Sequence, residues 1–381
     1  MKRKLLIFII TCIYICISGQ LDREHWFAPM FNRTNLENNY QSLYFSTGET
    51  APFKVDIFHD NQIIGTVMIS RNNPAKFDIL NSETIISRQN NDLFRPVAMG
   101  LYAKGEKPFF ATLRFSIYNH AEIQTSKGKA GAGKEFRAVV APIVARNHIL
   151  NFMNSIMATE DNTNVTIKGF DPNIVFADNI SRTEINFTLN RGQSYIVEGS
   201  GLYDSNAKGY IGAKITADKP VVIANGNFNG QYAADTDLAS DILMDQGVPE
   251  DKLGQEFILV RGNGSITSNM EKALIVATQD NTKVYLNDQI SPSATLNAGQ
   301  FYLTDNSAYK NQGGGHYSMF IRTDKNSYVY QLLGGTDGNG TSPLATGGFN
   351  FIPPLSCYLP RKIVEIGRIS ENEYSSNNAQ S

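Results

Sequence analysis

Four aspartates, Asp235, Asp237, Asp241 and Asp245, form a D-x-D-x-x-x-D-x-x-x-D array of oxygen donors, the ligand type that suits calcium. The array lacks the glycine and the spaced bidentate glutamate of an EF-hand loop, so it reads as a solvated acidic loop rather than a metal site. His25, His59, His120, His148 and His316 share no motif, and no H-x-x-x-H or C-x-x-C spacing is present to hold zinc. Nucleophilic catalysis needs a hydroxyl or thiol beside an oriented base, and no G-x-S-x-G elbow occurs. Gly128-Lys129-Ala130-Gly131-Ala132-Gly133-Lys134 departs from a phosphate loop because Glu135 stands where Ser or Thr is required, and it reads as a linker. On these residues we assign no catalytic, cofactor-binding or metal-binding position, and no cofactor.

Surface chemistry is the remaining class. The chain has 17 Tyr, 22 Phe and a single Trp. Phe228-Asn229-Gly230-Gln231-Tyr232, and Tyr302, Tyr309 and Tyr317 among Gly and Asn, pair aromatic faces with hydrogen-bonding neighbours as adhesive loops do, although core filling is the commoner fate of such rings. N-x-[ST] sequons at Asn32, Asn164, Asn179, Asn186, Asn263 and Asn339 indicate little beyond surface polarity in a chain so rich in these residues.

The elements that must position these groups are repeated. Ala158-Thr159-Glu160-Asp161-Asn162-Thr163 returns as Ala277-Thr278-Gln279-Asp280-Asn281-Thr282, and Leu189-Asn190-Arg191-Gly192-Gln193-Ser194-Tyr195 as Leu296-Asn297-Ala298-Gly299-Gln300-Phe301-Tyr302. The offset is 119 residues at the first block and 107 at the second, so the earlier copy carries an insertion between them. Glu160-Asp161 becomes Gln279-Asp280, which argues against a paired-carboxylate acid and base. A fainter front copy runs through Tyr44–Glu49, Phe53–Ile57, Asn73–Ile79 and Thr112–Ile117. The Asp-Asn and Asn-x-Gly steps tolerate left-handed dihedrals and are expected to close hairpins.

Period-two alternation, as in Phe53-Lys54-Val55-Asp56-Ile57, predicts strands through most of the chain. The best helical stretches are Asn147 to Ala158 and Asp237 to Met244. The fold expected is all-β: two to three related antiparallel β-sandwich modules of roughly 100 residues, either separate or packed as one pseudo-threefold body, a choice the sequence does not make. Their boundaries are 21–127, 134–236 and 254–365.

Lys2, Arg3 and Lys4 precede the apolar run Leu5–Ile17, too short to span a bilayer comfortably, and small residues follow. Residues 1–20 therefore read as a secretory signal peptide, and the mature chain as not membrane-spanning. Its removal would shift the formal net charge from −2 to −5, which offers no footprint for nucleic acid. It would also take Cys12 and Cys16, leaving Cys357 as a small apolar residue without a disulfide partner. Residues 366–381 read as a polar tail or the start of a further region.

Lys219-Pro220-Val221-Val222-Ile223-Ala224-Asn225-Gly226-Asn227, Met244-Asp245-Gln246 leading to Leu253–Ile258, Phe351-Ile352-Pro353-Pro354-Leu355 and the entry segment Arg23–Met30 resemble the IgGFc-binding protein N-terminal domain family, over about residues 22–365. The resemblance implies an extracellular domain, known from a mucin-associated animal protein and from secreted or surface proteins of bacteria. No residue can be matched to an antibody contact. The reading that follows is a secreted, cell-surface or periplasmic non-enzymatic binding or adhesion domain whose partner is an extracellular protein or glycan. The alternatives are a carbohydrate-active enzyme or its accessory glycan-binding module, and a structural subunit of a surface assembly.

Overall fold

Alternating apolar and polar side chains put one face of strands such as Phe53–His59 and Thr163–Lys168 in a core and the other in water, and three sandwiches are built in turn. The structure is a computed structural model that describes residues 20–34, 36–81, 83–233, 240–264, 269–335 and 347–355. The first sandwich comprises β1 (Asp22–Phe27), β3 (Asn38–Ser46), β4 (Phe53–His59), β5 (Gln62–Ile69), β6 (Ala75–Asp78), β9 (Leu101–Ile117) and β10 (His120–Thr125); β2 (Met30–Phe31) and β7 (Ile86–Ser87) form a separate parallel pair, and β8 (Pro96–Val97) extends a sheet of the second sandwich. The 17-residue β9 serves two sheets: its first half pairs with β1 and β4, its second with β3 and β10.

The second sandwich comprises β11 (Gly133–Arg137), β12 (Asn151–Ala158), β13 (Thr163–Lys168), β14 (Glu184–Leu189), β15 (Ser194–Ser200), β16 (Lys214–Gly230) and β17 (Asp241–Gln246). The third comprises β18 (Gly254–Val260), β19 (Lys272–Ala277), β20 (Thr282–Leu286), β21 (Ala294–Leu296), β22 (Phe301–Leu303), β23 (Lys310–Gly313), β24 (His316–Gly334) and β25 (Gly347–Phe351). The strand orders β5-β4-β9-β3-β6, β14-β13-β16-β12-β15 and β21-β20-β24-β19-β22 correspond place by place. In each sandwich one long strand, β9, β16 or β24, threads both sheets. Thr112–Ile117, which the front copy offers as the counterpart of Lys214–Thr216, thus falls on the corresponding strand but at the opposite end of it.

The repeated hexapeptides turn corners instead of closing hairpins. β12 pairs with Met153–Ala158 against Val221–Gly226 of β16, whereas β13 pairs with Lys214–Ala217 of the same strand, so the chain crosses from one sheet to the other between them. Asn162 and Asn281 adopt φ of 51° and 57° there. Asp161 accepts from Arg191 N at 3.0 Å and Asp280 from Ala298 N at 3.0 Å; Asn190 accepts from Asn162 N at 3.1 Å and Asn297 from Asn281 N at 3.3 Å. The two similar sequence blocks are therefore the two halves of one hydrogen-bonded corner. At Glu160 and Gln279 only the backbone carbonyl is used, by Thr163 at 2.8 Å and Thr282 at 2.7 Å, which leaves the side chain free to differ.

Two predicted helices are strands. Asn151–Ala158 is β12, buried along all eight residues, and the described part of the second stretch enters β17. β12 turns Phe152 and Ile156 into its own core and Met153 and Met157 onto the first sandwich, so both faces are apolar and the period-two signal disappears. The glycine-rich stretch is likewise no linker: Gly128–Gly131 forms a packed 3-10 turn, and a Cβ on Gly133 would lie 2.3 Å from Pro249.

The sandwiches pack in series. One continuous core joins the interior of the first to Met153, Met157, Val222 and Ala224 on the outer face of the second. Another joins the interior of the second to Leu274, Val276, Tyr328 and Tyr330 on the outer face of the third. The repeated Asn-x-Gly turn docks each time on the sandwich before it: Asn61 donates to Arg191 O at 2.6 Å, and Gly299 lies against Gly212, where a Cβ would meet the Gly299 carbonyl at 1.8 Å.

Candidate functional site

The acidic array divides at the edge of the described residues, with Asp235 and Asp237 outside them. Asp241 and Asp245 are not solvated. Asp241 lies 3.2 Å from His120 Nδ1 and accepts from Gly347 N at 3.0 Å; Asp245 accepts from Lys127 Nζ at 2.6 Å and from Phe351 N at 2.9 Å. These carboxylates, extended from β17, tie the first and third sandwiches to the second. Glu122 of β10 keeps some surface, but its carboxyl is desolvated beside both aspartates, and its pKa is raised well above the usual range, burial first and the like charges after. Among the described residues no cluster of three or more ligating side chains could hold a metal ion.

The proposed adhesive aromatics are mostly core. Phe228, Tyr232 and Tyr309 are buried, while Tyr302 and Tyr317 are half-buried. The sequon residue Asn32 is buried and bonded to Leu36, Asn38 and Thr34, whereas Asn164, Asn179, Asn186 and Asn263 are exposed. Asn339 and Cys357 lie outside the described residues.

Tyr302 borders a cleft of about 400 Å³ on the third sandwich, lined by Leu286, Asn287, Asp288, Gln289, Asp305, Ser307, Ala308 and Lys310. Asn287, at φ 52°, is its frame: the side chain donates to Ala308 O at 2.9 Å and accepts from Phe320 N at 3.1 Å, joining the connection after β20 to the one after β22. Asp305 accepts from Ser307 N at 2.9 Å, and the hydrogen bonds from Ser307 hold its carboxyl below the usual carboxylate range. The cleft thus offers a ring wall, an ionised acceptor, amides and the exposed Lys310 ammonium.

The same two connections are closed in the second sandwich. There the longer 169–183 segment follows β13 and buries Phe170, Ile174 and Phe176 around Tyr210, with the Phe170 and Phe176 rings 5.2 Å apart and Asp171 N on Gly209 O at 2.9 Å. The third sandwich has only 287–293 at that place. The difference in repeat spacing is therefore the difference between a filled site and an open one. Sequence reading located the unequal insertion but not the cleft, because only the fold shows which two connections meet.

A second surface is the outer face of β3, β6 and β9. Arg114 stacks on Tyr44 at 3.8 Å, Lys76 lies 5.1 Å from the Tyr40 ring, and Lys76 pairs with Asp78 at 2.9 Å. The corresponding faces of the second and third sandwiches are covered by the preceding sandwich; here polar side chains and their own cations cover the rings.

The carboxyls whose pKa values are raised are not among the residues that line the cleft. Glu198 is fully buried between the first two sandwiches with Arg33 forked onto it, and burial still raises its pKa. Glu271, also raised by burial, accepts from Gly264 N at 3.4 Å. No described helix is long and apolar enough to cross a membrane.

The family model described as IgGFc binding protein matches residues 125–380, from the end of β10 through the second and third sandwiches and the cleft. Searches of curated proteins and of solved structures each found no match. With well over half its length matched, the chain belongs to the IgGFc-binding protein family.

Proposed function

We propose that the chain is an exported, non-catalytic binding domain that holds an extracellular glycan in the third-sandwich cleft. The observation that carries this reading is the cleft itself, open where the third sandwich lacks the apolar insertion of the second and bordered by Tyr302 with amide and carboxylate groups around it. A sugar ring presents apolar C–H faces and a belt of hydroxyls; an aromatic wall with planar polar groups matches both. Glycoside cleavage needs one carboxylic acid kept protonated near neutral pH opposite a second carboxylate. Asp305 is held ionised by Ser307, which suits acceptance of hydroxyl hydrogen bonds. The family match supports a binding role, and the basic Lys2-Arg3-Lys4 followed by the apolar run Leu5–Ile17 and small residues supports export.

A glycan array followed by titration of the best ligand tests the reading. Tyr302→Ala should weaken binding by about tenfold, the equivalent of a lost ring contact of ~1.4 kcal/mol. Immunoglobulin Fc belongs in the same series because the family takes its description from it. Binding of Fc that is indifferent to Tyr302→Ala, with the array silent, would replace the glycan reading with a protein-binding one.

A further inference from the structure

β5 is the outermost strand of its sheet and is bonded only to β4 among the described residues. Ile63, Ile64 and Met68 on it are 57%, 41% and 50% exposed, and no charged side chain stands between Gln62 and Ile69. The corresponding edges are protected. β14 presents Glu184, Asn186 and Thr188, and β21 is three residues long. Natural sheets blunt their edges with charge, brevity or bulges; β5 has eight residues, no charge, and one bulge opposite Ile57 and Phe58. Its backbone donors and acceptors, unpaired within the sheet, are a template on which another strand can pair.

The pattern of the strand specifies which one. Ile64 and Met68 stand symmetrically about Thr66, so an antiparallel second copy centred there sets Ile64 of each chain against Met68 of the other. The strand carries no charged side chain from Gln62 to Ile69, so this register places no like charges together. We propose that two copies of this chain associate through β5, continuing the outer sheet of the first sandwich from one molecule into the next. The contact is narrow, so the dimer is weak and concentration-dependent.

Sedimentation velocity of the protein over a concentration series tests this. The wild type should shift from monomer toward dimer as concentration rises. Ile64→Lys/Met68→Lys should remain monomeric at every concentration with an unchanged melting temperature, because both side chains are exposed. Mixing that variant with Ile64→Glu/Met68→Glu should restore a heterodimer, which a general loss of solubility or folding would not do. A wild type that stays monomeric throughout, or lysine variants that dimerise as the wild type does, would overturn the proposal. Glycan binding at the cleft is a separate readout and should be the same in all these variants.

Discussion

Single side chains in this protein are most informative where burial and ionisation compete. His25 is fully buried, with Nε2 on the Phe109 carbonyl at 2.7 Å and Nδ1 without a partner, and burial lowers its pKa to about 4. A lowered histidine pKa means that its stabilisation is complete above the ordinary value of 6.5 and is lost as pH falls toward 4. Glu122 has the opposite sign: its raised pKa makes it destabilising at neutral pH, and stability returns as pH falls through its folded value toward 4.5. Melting temperature measured against pH should separate them. Glu122→Gln should melt higher than the wild type at neutral pH and lose the gain on acidification, whereas His25→Gln should flatten the decline below pH 6.5. A Glu122→Gln profile parallel to the wild type would show that its carboxyl is solvated.

At the scale of elements, the corner built from Asp-Asn-Thr and Leu-Asn-x-Gly-Gln explains why these residues recur. Asn162→Ala and Asn281→Ala force an alanine into the left-handed region and should each destabilise by ~1 kcal/mol in chemical denaturation. Glu160→Gln should be neutral within ~0.5 kcal/mol, because only the backbone of that residue is bonded. Equal effects at positions 160 and 162 would contradict the corner. Strands with one wet face, such as β4 and β13, were readable from alternation, as were the left-handed asparagines and Gly192 and Gly299. β12 and β17 were not, because apolar side chains cover both faces and imitate a buried helix. The cleft was illegible for a different reason: Asn287 and Ala308 are 21 residues apart and meet only through the fold.

For the whole molecule, three packed sandwiches make the interfaces between them part of stability. Arg33 reaches from the first sandwich to the fully buried Glu198 of the second, and Arg137 of the second donates to Gly212 O at 2.8 Å and to Thr278 O at 3.3 Å, the latter in the third. Arg33→Ala leaves a buried carboxylate alone and should lower stability by about 3–5 kcal/mol, while Arg33→Met/Glu198→Leu should recover much of that loss. A double variant no better than the single one would place the effect in packing instead of charge. The outer face of β3 and β9 is dressed with polar side chains, and among the described residues no other sandwich covers it. The cleft on the third sandwich lies within the range matched by the family model, whereas β5 and the outer face of the first lie before it.

On the proposed function, the third sandwich holds a ligand where the second is filled. The most direct test is calorimetric titration of the best glycan-array ligand into the wild type, Tyr302→Ala and Tyr44→Ala. Binding should be saturable in the wild type, about tenfold weaker in Tyr302→Ala and unchanged in Tyr44→Ala; binding lost with Tyr44 and kept without Tyr302 would exclude the cleft as the site.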